Sequence, residues 1–157
     1  MTPNRLEILK RIPLFSSLSD QELSRILSLC TEQHLGANEV VFREGESGQA
    51  MYVVLSGQVR ISTVIPGVGE EALAILRAGD YFGEMALIDE FPRSASVIAH
   101  EGPVSLLILH KEAFQRALSE DAELARRLLW VLVKTLSGRL RETDERLKAI
   151  FAIAKSF

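Results

Sequence analysis

Two short runs, Gly83-Glu84-Met85-Ala86 and Pro92-Arg93-Ser94, carry the residue types best suited to chemistry. An arginine offers a planar fork of N–H donors that matches two oxygens of an anion, a geometry lysine cannot supply. Glycine adopts dihedrals closed to other residues and lets the backbone come close to a ligand. Proline fixes the backbone just ahead of Arg93 and favours one loop shape. If Glu84–Ile88 forms a short helix, its free N–H groups and positive dipole end would face the same anion. Glu84 is a carboxylate acceptor suited to a sugar hydroxyl. Residues of these types could hold an anion next to a hydroxyl-bearing group. The competing reading is simpler: Glu84 and Arg93 form an ion pair that bridges two loops.

The surrounding elements follow from periodicity and turn residues. A short helix is expected around Asn4 to Lys10, ending before Pro13. Ser19 with Glu22 forms a capping box, and Leu18 can staple onto Leu23 across it. Leu23, Ile26, Leu27 and Cys30 then recur at helical spacing, so Cys30 is expected to pack rather than react. From about Gln33 to Leu109 the apolar runs shorten and turns punctuate them. Glu39–Arg43, Met51–Leu55, Gln58–Val64, Ala72–Leu76, Ser94–Ala99 and Val104–Leu109 read as strands. Within Gln58–Val64, Val59 and Ile61 share one face while Gln58, Arg60 and Ser62 share the other. Many short strands with regular turns indicate a small antiparallel barrel or sandwich.

Helix returns at Lys111–Leu118, and a long one runs from Asp121 to about Ala154 with a single glycine, Gly138. Leu129, Val133, Leu136, Leu140, Thr143, Leu147, Ile150 and Ala154 alternate spacings of four and three. That is an a/d heptad seam, which predicts a parallel homodimer through the 121–154 helix. In such a pair Arg139 would face Asp144 of the other copy. The alternative is that the seam packs on its own domain. Thr143 at a core position weakens apolar packing; specifying register is one explanation. Gly138, about 1 kcal/mol worse than alanine in a helix, is an expected flexible point.

These features converge on a resemblance. Tyr81-Phe82-Gly83-Glu84-Met85-Ala86-Leu87-Ile88 followed by Pro92-Arg93-Ser94-Ala95-Ser96-Val97 resembles the cyclic nucleotide-binding domain family, in its bacterial catabolite-activator-like branch. The likeness extends from Ile12-Pro13-Leu14-Phe15 through the glycine-punctuated strands to the long last helix. It implies an α+β, mainly β fold: an antiparallel β-roll or jelly-roll barrel with N-terminal helices (1–32), the roll (33–110) and C-terminal helices (111–157) in one domain, 1–157. It assigns Arg93 to the cyclic phosphate and Glu84 to the ribose 2′-hydroxyl. Gly83, Met85 and Ala86 would lie along the ligand, and Ser94 would add a hydroxyl. Thr143 matches a threonine that meets the adenine 6-amino group in that branch. Asp144 departs from it, standing where a small hydroxyl residue comes from the partner subunit. An acid there either accepts from an amino group or pairs with Arg139. The resemblance favours cAMP; Ser94 lies where cGMP-binding relatives tend to carry threonine, which leaves cGMP open.

Composition bounds the remaining classes. The chain has 157 residues, 47% apolar and 25% charged, with net charge −3, which suits one packed domain. Its longest apolar runs are far below the roughly 20 residues of a membrane span. The N-terminus lacks the apolar core of a signal peptide. One cysteine excludes an internal disulfide and a four-thiolate cluster. A cytoplasmic protein is the expectation. Three histidines without a His-x-His pair, no phosphate loop and no nucleophile elbow argue for binding without catalysis, metal or cofactor. From Asp121 onward the charge is +3, usually just a solvated helix face. With no room for a recognition helix after it, the expected role is a sensor that signals to an effector protein and does not contact DNA directly. A cyclic-dinucleotide binder and a dimeric interaction module that binds nothing are the remaining alternatives.

Overall fold

A computed structural model describes residues 4–157. Helix α1 (Arg5–Arg11) starts at Asn4, whose side chain accepts from the Leu6 N–H at 3.1 Å. Helix α2 (Asp20–Leu29) carries the expected capping box: Ser19 Oγ accepts from the Glu22 N–H, and the Glu22 carboxylate accepts from the Ser19 N–H. Leu18 and Leu23 are buried in one core. Strands β1 (Thr31–Leu35), β2 (Val40–Phe42), β3 (Ala50–Ser56), β4 (Gln58–Ile65), β5 (Gly69–Arg77) and β6 (Tyr81–Phe82) follow. A 3-10 turn, Glu84–Leu87, then leads to β7 (Ser96–Ala99) and β8 (Val104–His110). Helices α3 (Lys111–Glu120) and α4 (Ala122–Lys155) complete the described chain.

The strands form two four-stranded antiparallel sheets, in the orders β1-β8-β3-β6 and β2-β7-β4-β5. They face each other as a jelly-roll sandwich and do not close into a barrel. Val54, Phe82, Val104 and Leu106 of one sheet meet Phe42, Val59, Val97 and Ala99 of the other. The opposite face of the first sheet packs under the helices. There Met51, Val53, Leu55, Leu107 and Leu109 join Ile12, Phe15, Leu23, Phe114, Leu124 and Leu128. Burial on both faces is the reason Ala50–Leu55 is an unbroken apolar run instead of an alternating one.

Three differences from the sequence reading have physical causes. Strand β1 reads as polar because it is an edge strand, largely exposed and paired only with β8. Ser62, expected on the polar face of β4, is buried between Ala72 and Ser96. Beside it the β4–β5 register shifts: Ile61 pairs with Ala74 but Ser62 with Ala72, so Leu73 bulges outward. Strand β7 begins only at Ser96, which leaves Ser94 in a loop.

Cys30 closes α2 with its thiol donating to the Ile26 carbonyl at 3.3 Å. Burial pushes the thiol up to about 12. The neutral form is therefore the one folding favours; its contribution is complete below the usual thiol range and fades as pH rises toward 12. Iodoacetamide at pH 8 should leave the folded protein unmodified and label Cys30 promptly in guanidinium. Rapid labelling of folded protein would contradict this packing.

Candidate functional site

Strand β6 delivers the chain to Gly83, whose φ of +75° lies in the left-handed region. A Cβ there would stand 2.7 Å from Arg93 Nη1 and 3.2 Å from the Ala50 carbonyl oxygen. Glycine is thus required on both conformational and steric grounds. The expected short helix is present as the 3-10 turn Glu84–Leu87, with the Ala86 N–H donating to the Gly83 carbonyl at 3.2 Å. The chain then loops back through Phe91-Pro92-Arg93 alongside Gly45–Ser47. The Gly45 N–H donates to the Arg93 carbonyl and the Arg93 N–H to the Glu46 carbonyl, both at 2.8 Å. These bonds clamp the backbone at the base of the Arg93 side chain.

The guanidinium of Arg93 is held by carbonyls and aromatic rings. Nη2 donates to the Ala50 carbonyl at 2.8 Å and Nη1 to the Gly83 carbonyl at 3.4 Å. Its Cζ lies 4.0 Å from the centre of the Phe42 ring and 5.7 Å from that of Tyr52. Gly48 makes this approach possible, since a Cβ there would be 2.8 Å from Nε. Among the described residues no carboxylate reaches ion-pair distance of Arg93, and its buried Nε has no hydrogen-bond partner. Burial holds the guanidinium below the usual arginine value, against the opposing pull of Tyr52 and Glu46. A half-desolvated cation held by rings and carbonyls is a costly arrangement that an incoming anion would relieve.

Glu84 is 7% exposed and faces the same space, yet it does not pair with Arg93. Its Oε1 accepts from Nη1 of Arg139 on α4. The structure therefore overturns the Glu84–Arg93 bridge, and within the single chain Arg139 pairs with Glu84. The space is a cavity of about 550 Å³, within the usual range for small-molecule pockets. Phe42, Ile61, Phe82 and Val97 form its apolar wall; Gly83, Glu84, Met85, Ala86, Arg93 and Ser94 form the wall expected from sequence. Arg139 closes one side.

Thr143 and Asp144 stand one turn farther along α4, exposed and outside this lining. Thr143 donates its hydroxyl to the Arg139 carbonyl at 2.9 Å. The sequence reading missed Phe42 and Tyr52 as the bed of Arg93, and Arg139 as the partner of Glu84. Aromatic residues on strands signalled only core. Nothing local ties Arg139 to a residue 55 positions earlier.

The heptad seam does not pack on its own domain. Leu124, Leu128 and Leu132 bury against the core, on a different stripe of α4. The seam residues Leu129, Val133, Leu136, Leu140, Leu147 and Ile150 are all exposed, Leu140 at 63%. The helix runs unbroken through Gly138.

Comparison with known proteins agrees with this geometry. The family model described as "Cyclic nucleotide-binding domain" matches residues 32–121. The cyclic AMP receptor protein of Thermus thermophilus is 39% identical over 139 residues, covering 87% of this chain and 61% of that protein. A cAMP-dependent protein kinase regulatory subunit from Hypocrea atroviridis is 37% identical over 127 residues, 81% of this chain but 26% of that protein. The chain thus spans under two thirds of either relative. The N-terminal domain of a Streptomyces coelicolor transcriptional regulator superposes with a TM-score of 0.78 at 31% identity, covering 89% of this chain and 94% of that one. With the cleft, its arginine and its glutamate built as described, the chain belongs to the cyclic nucleotide-binding domain family.

Proposed function

We propose that this cyclic nucleotide-binding regulatory domain is a cAMP sensor that binds without turnover and signals as a homodimer to an effector protein. The observation that carries the ligand assignment is Arg93, a half-buried guanidinium on the cavity wall held by rings and carbonyls, with no carboxylate at ion-pair distance among the described residues. A cyclic phosphate is a monoanion whose two free oxygens match that fork. Glu84, on the same cavity wall, accepts the ribose hydroxyl. Adenine is favoured over guanine by the match of Thr143 and by the cAMP named in the two relatives described above, while relatives named as cGMP-dependent protein kinases keep cGMP as the competing ligand.

Signalling runs through Arg139. A ribose hydroxyl reaching Glu84 meets an acceptor that already holds α4, so ligand and helix contest one carboxylate. The nucleotide shifts α4 only as far as it prefers one helix arrangement over another. The exposed seam supports a second copy of the chain on α4. The cytoplasm is the compartment this role implies, and among the described residues no helix is long and apolar enough to cross a membrane.

Titration calorimetry with cAMP, cGMP and a cyclic dinucleotide tests the reading. The expected result is one site per chain with cAMP tightest. No heat with any of the three would overturn the ligand assignment, and steady release of AMP from cAMP would overturn binding without turnover.

A further inference from the structure

Lys111, the first residue of α3, breaks two rules at once. It is 8% exposed, although a buried ammonium is costly. It also places its charge at a helix N-terminus, the end where the macrodipole disfavours a cation. The bond it makes in return is short and charge-assisted: Nζ donates to the Asp89 carbonyl at 2.8 Å. The nearest carboxylate oxygen, on the solvent-facing Glu90 side chain, is 4.0 Å away.

Asp89 is the pivot of the ligand-gripping segment. Its N–H donates to the Met85 carbonyl at 3.1 Å, which closes the 3-10 turn. Its carboxylate accepts from the Phe91 N–H at 3.2 Å, which sets the return toward Arg93. Asp89 lines the cavity, whereas Lys111 does not. The Lys111 backbone is itself pinned, its N–H donating to the Gln49 carbonyl at 2.8 Å, next to the Ala50 carbonyl that holds Arg93. Every contact of the pivot therefore serves the shape of Gly83–Arg93.

We propose that Lys111 is a positioning residue: by holding the Asp89 carbonyl it fixes the Gly83–Arg93 segment in its ligand-ready shape and makes that segment move with α3. This deepens the cyclic-nucleotide reading and rests on it. Arg139 grips the start of the segment through a carboxylate the ligand also needs; Lys111 grips it farther along, at the main-chain carbonyl of Asp89. The first link is contested on binding, and the second persists through it.

The test compares Lys111→Met, which keeps length and burial but has no donor, with Lys111→Arg, which keeps the cation and its N–H groups. Two measurements are made on the full chain: hydrogen exchange without ligand, and calorimetry with cAMP. Lys111→Met should speed exchange of the 84–91 amides while strands β3 and β8 keep their protection. It should weaken cAMP binding about tenfold, the size of one charge-assisted bond. Lys111→Arg should restore most of both. Unchanged exchange at 84–91, or faster exchange spread evenly over the core strands, would overturn the proposal. The exchange arm needs no nucleotide, so a wild-type protein that binds none would defeat the functional reading while the tether is still judged separately.

Discussion

Arg93→Ala lowers cyclic-nucleotide affinity by about 100-fold or more, and the ligand-free protein keeps its melting temperature nearly unchanged. The first half follows from the fork: two parallel N–H groups lost to a phosphate remove a charge-assisted pair and leave the bound anion uncompensated in a cleft walled by Phe42, Ile61 and Phe82. The second half follows from what surrounds Arg93 when no anion is there. Losing its bonds to the Ala50 and Gly83 carbonyls destabilises, but losing a half-desolvated cation stabilises, and the two roughly offset. Arg93→Lys keeps the charge without the fork and should fall between. Calorimetry gives the affinities and calorimetric melting gives the stability. An unchanged Kd in Arg93→Ala would remove Arg93 as the partner of the anion. A large fall in ligand-free melting temperature would make it a structural residue.

The double replacement of Leu136 and Leu140 by aspartate should turn a dimer into a monomer. Both side chains are exposed on α4 in the single chain, so neither change touches the core built on Leu124, Leu128 and Leu132. In a paired seam, each carboxylate would be buried without a partner, which costs several kcal/mol; the dimer constant should fall about 1,000-fold or more. Sedimentation velocity reads the outcome, with wild type as the reference. A wild-type protein that sediments as a monomer at micromolar concentration would refute pairing through the seam. A double variant that stays dimeric would place the interface elsewhere.

The local parts of this molecule were legible because they are decided within a few residues. The Ser19–Glu22 capping box and the 3-10 turn after Gly83 each rest on neighbours in sequence. Six of the eight expected site residues line the cavity for the same reason: they come from two runs joined by one short loop. What escaped depends on partners far along the chain. Thr31–Leu35 looks like a polar stretch until β8 lies beside it. Arg139 looks like a coiled-coil flank until the fold brings α4 over Glu84. Thr143 and Asp144 were assigned through the family likeness, and in the single chain they lie beyond the cavity wall.

The Arg139–Glu84 contact has one more consequence, thermodynamic rather than geometric. If the ribose takes Glu84 as proposed, a carboxylate shared between helix and ligand couples the two equilibria, and such coupling is reciprocal. Whatever captures α4 with Arg139 disengaged would raise nucleotide affinity by the same factor by which nucleotide raises its own. The domain's Kd is then not a fixed property of the cleft but a reading of how often α4 has let go, with the measured constant equal to the intrinsic one divided by that fraction.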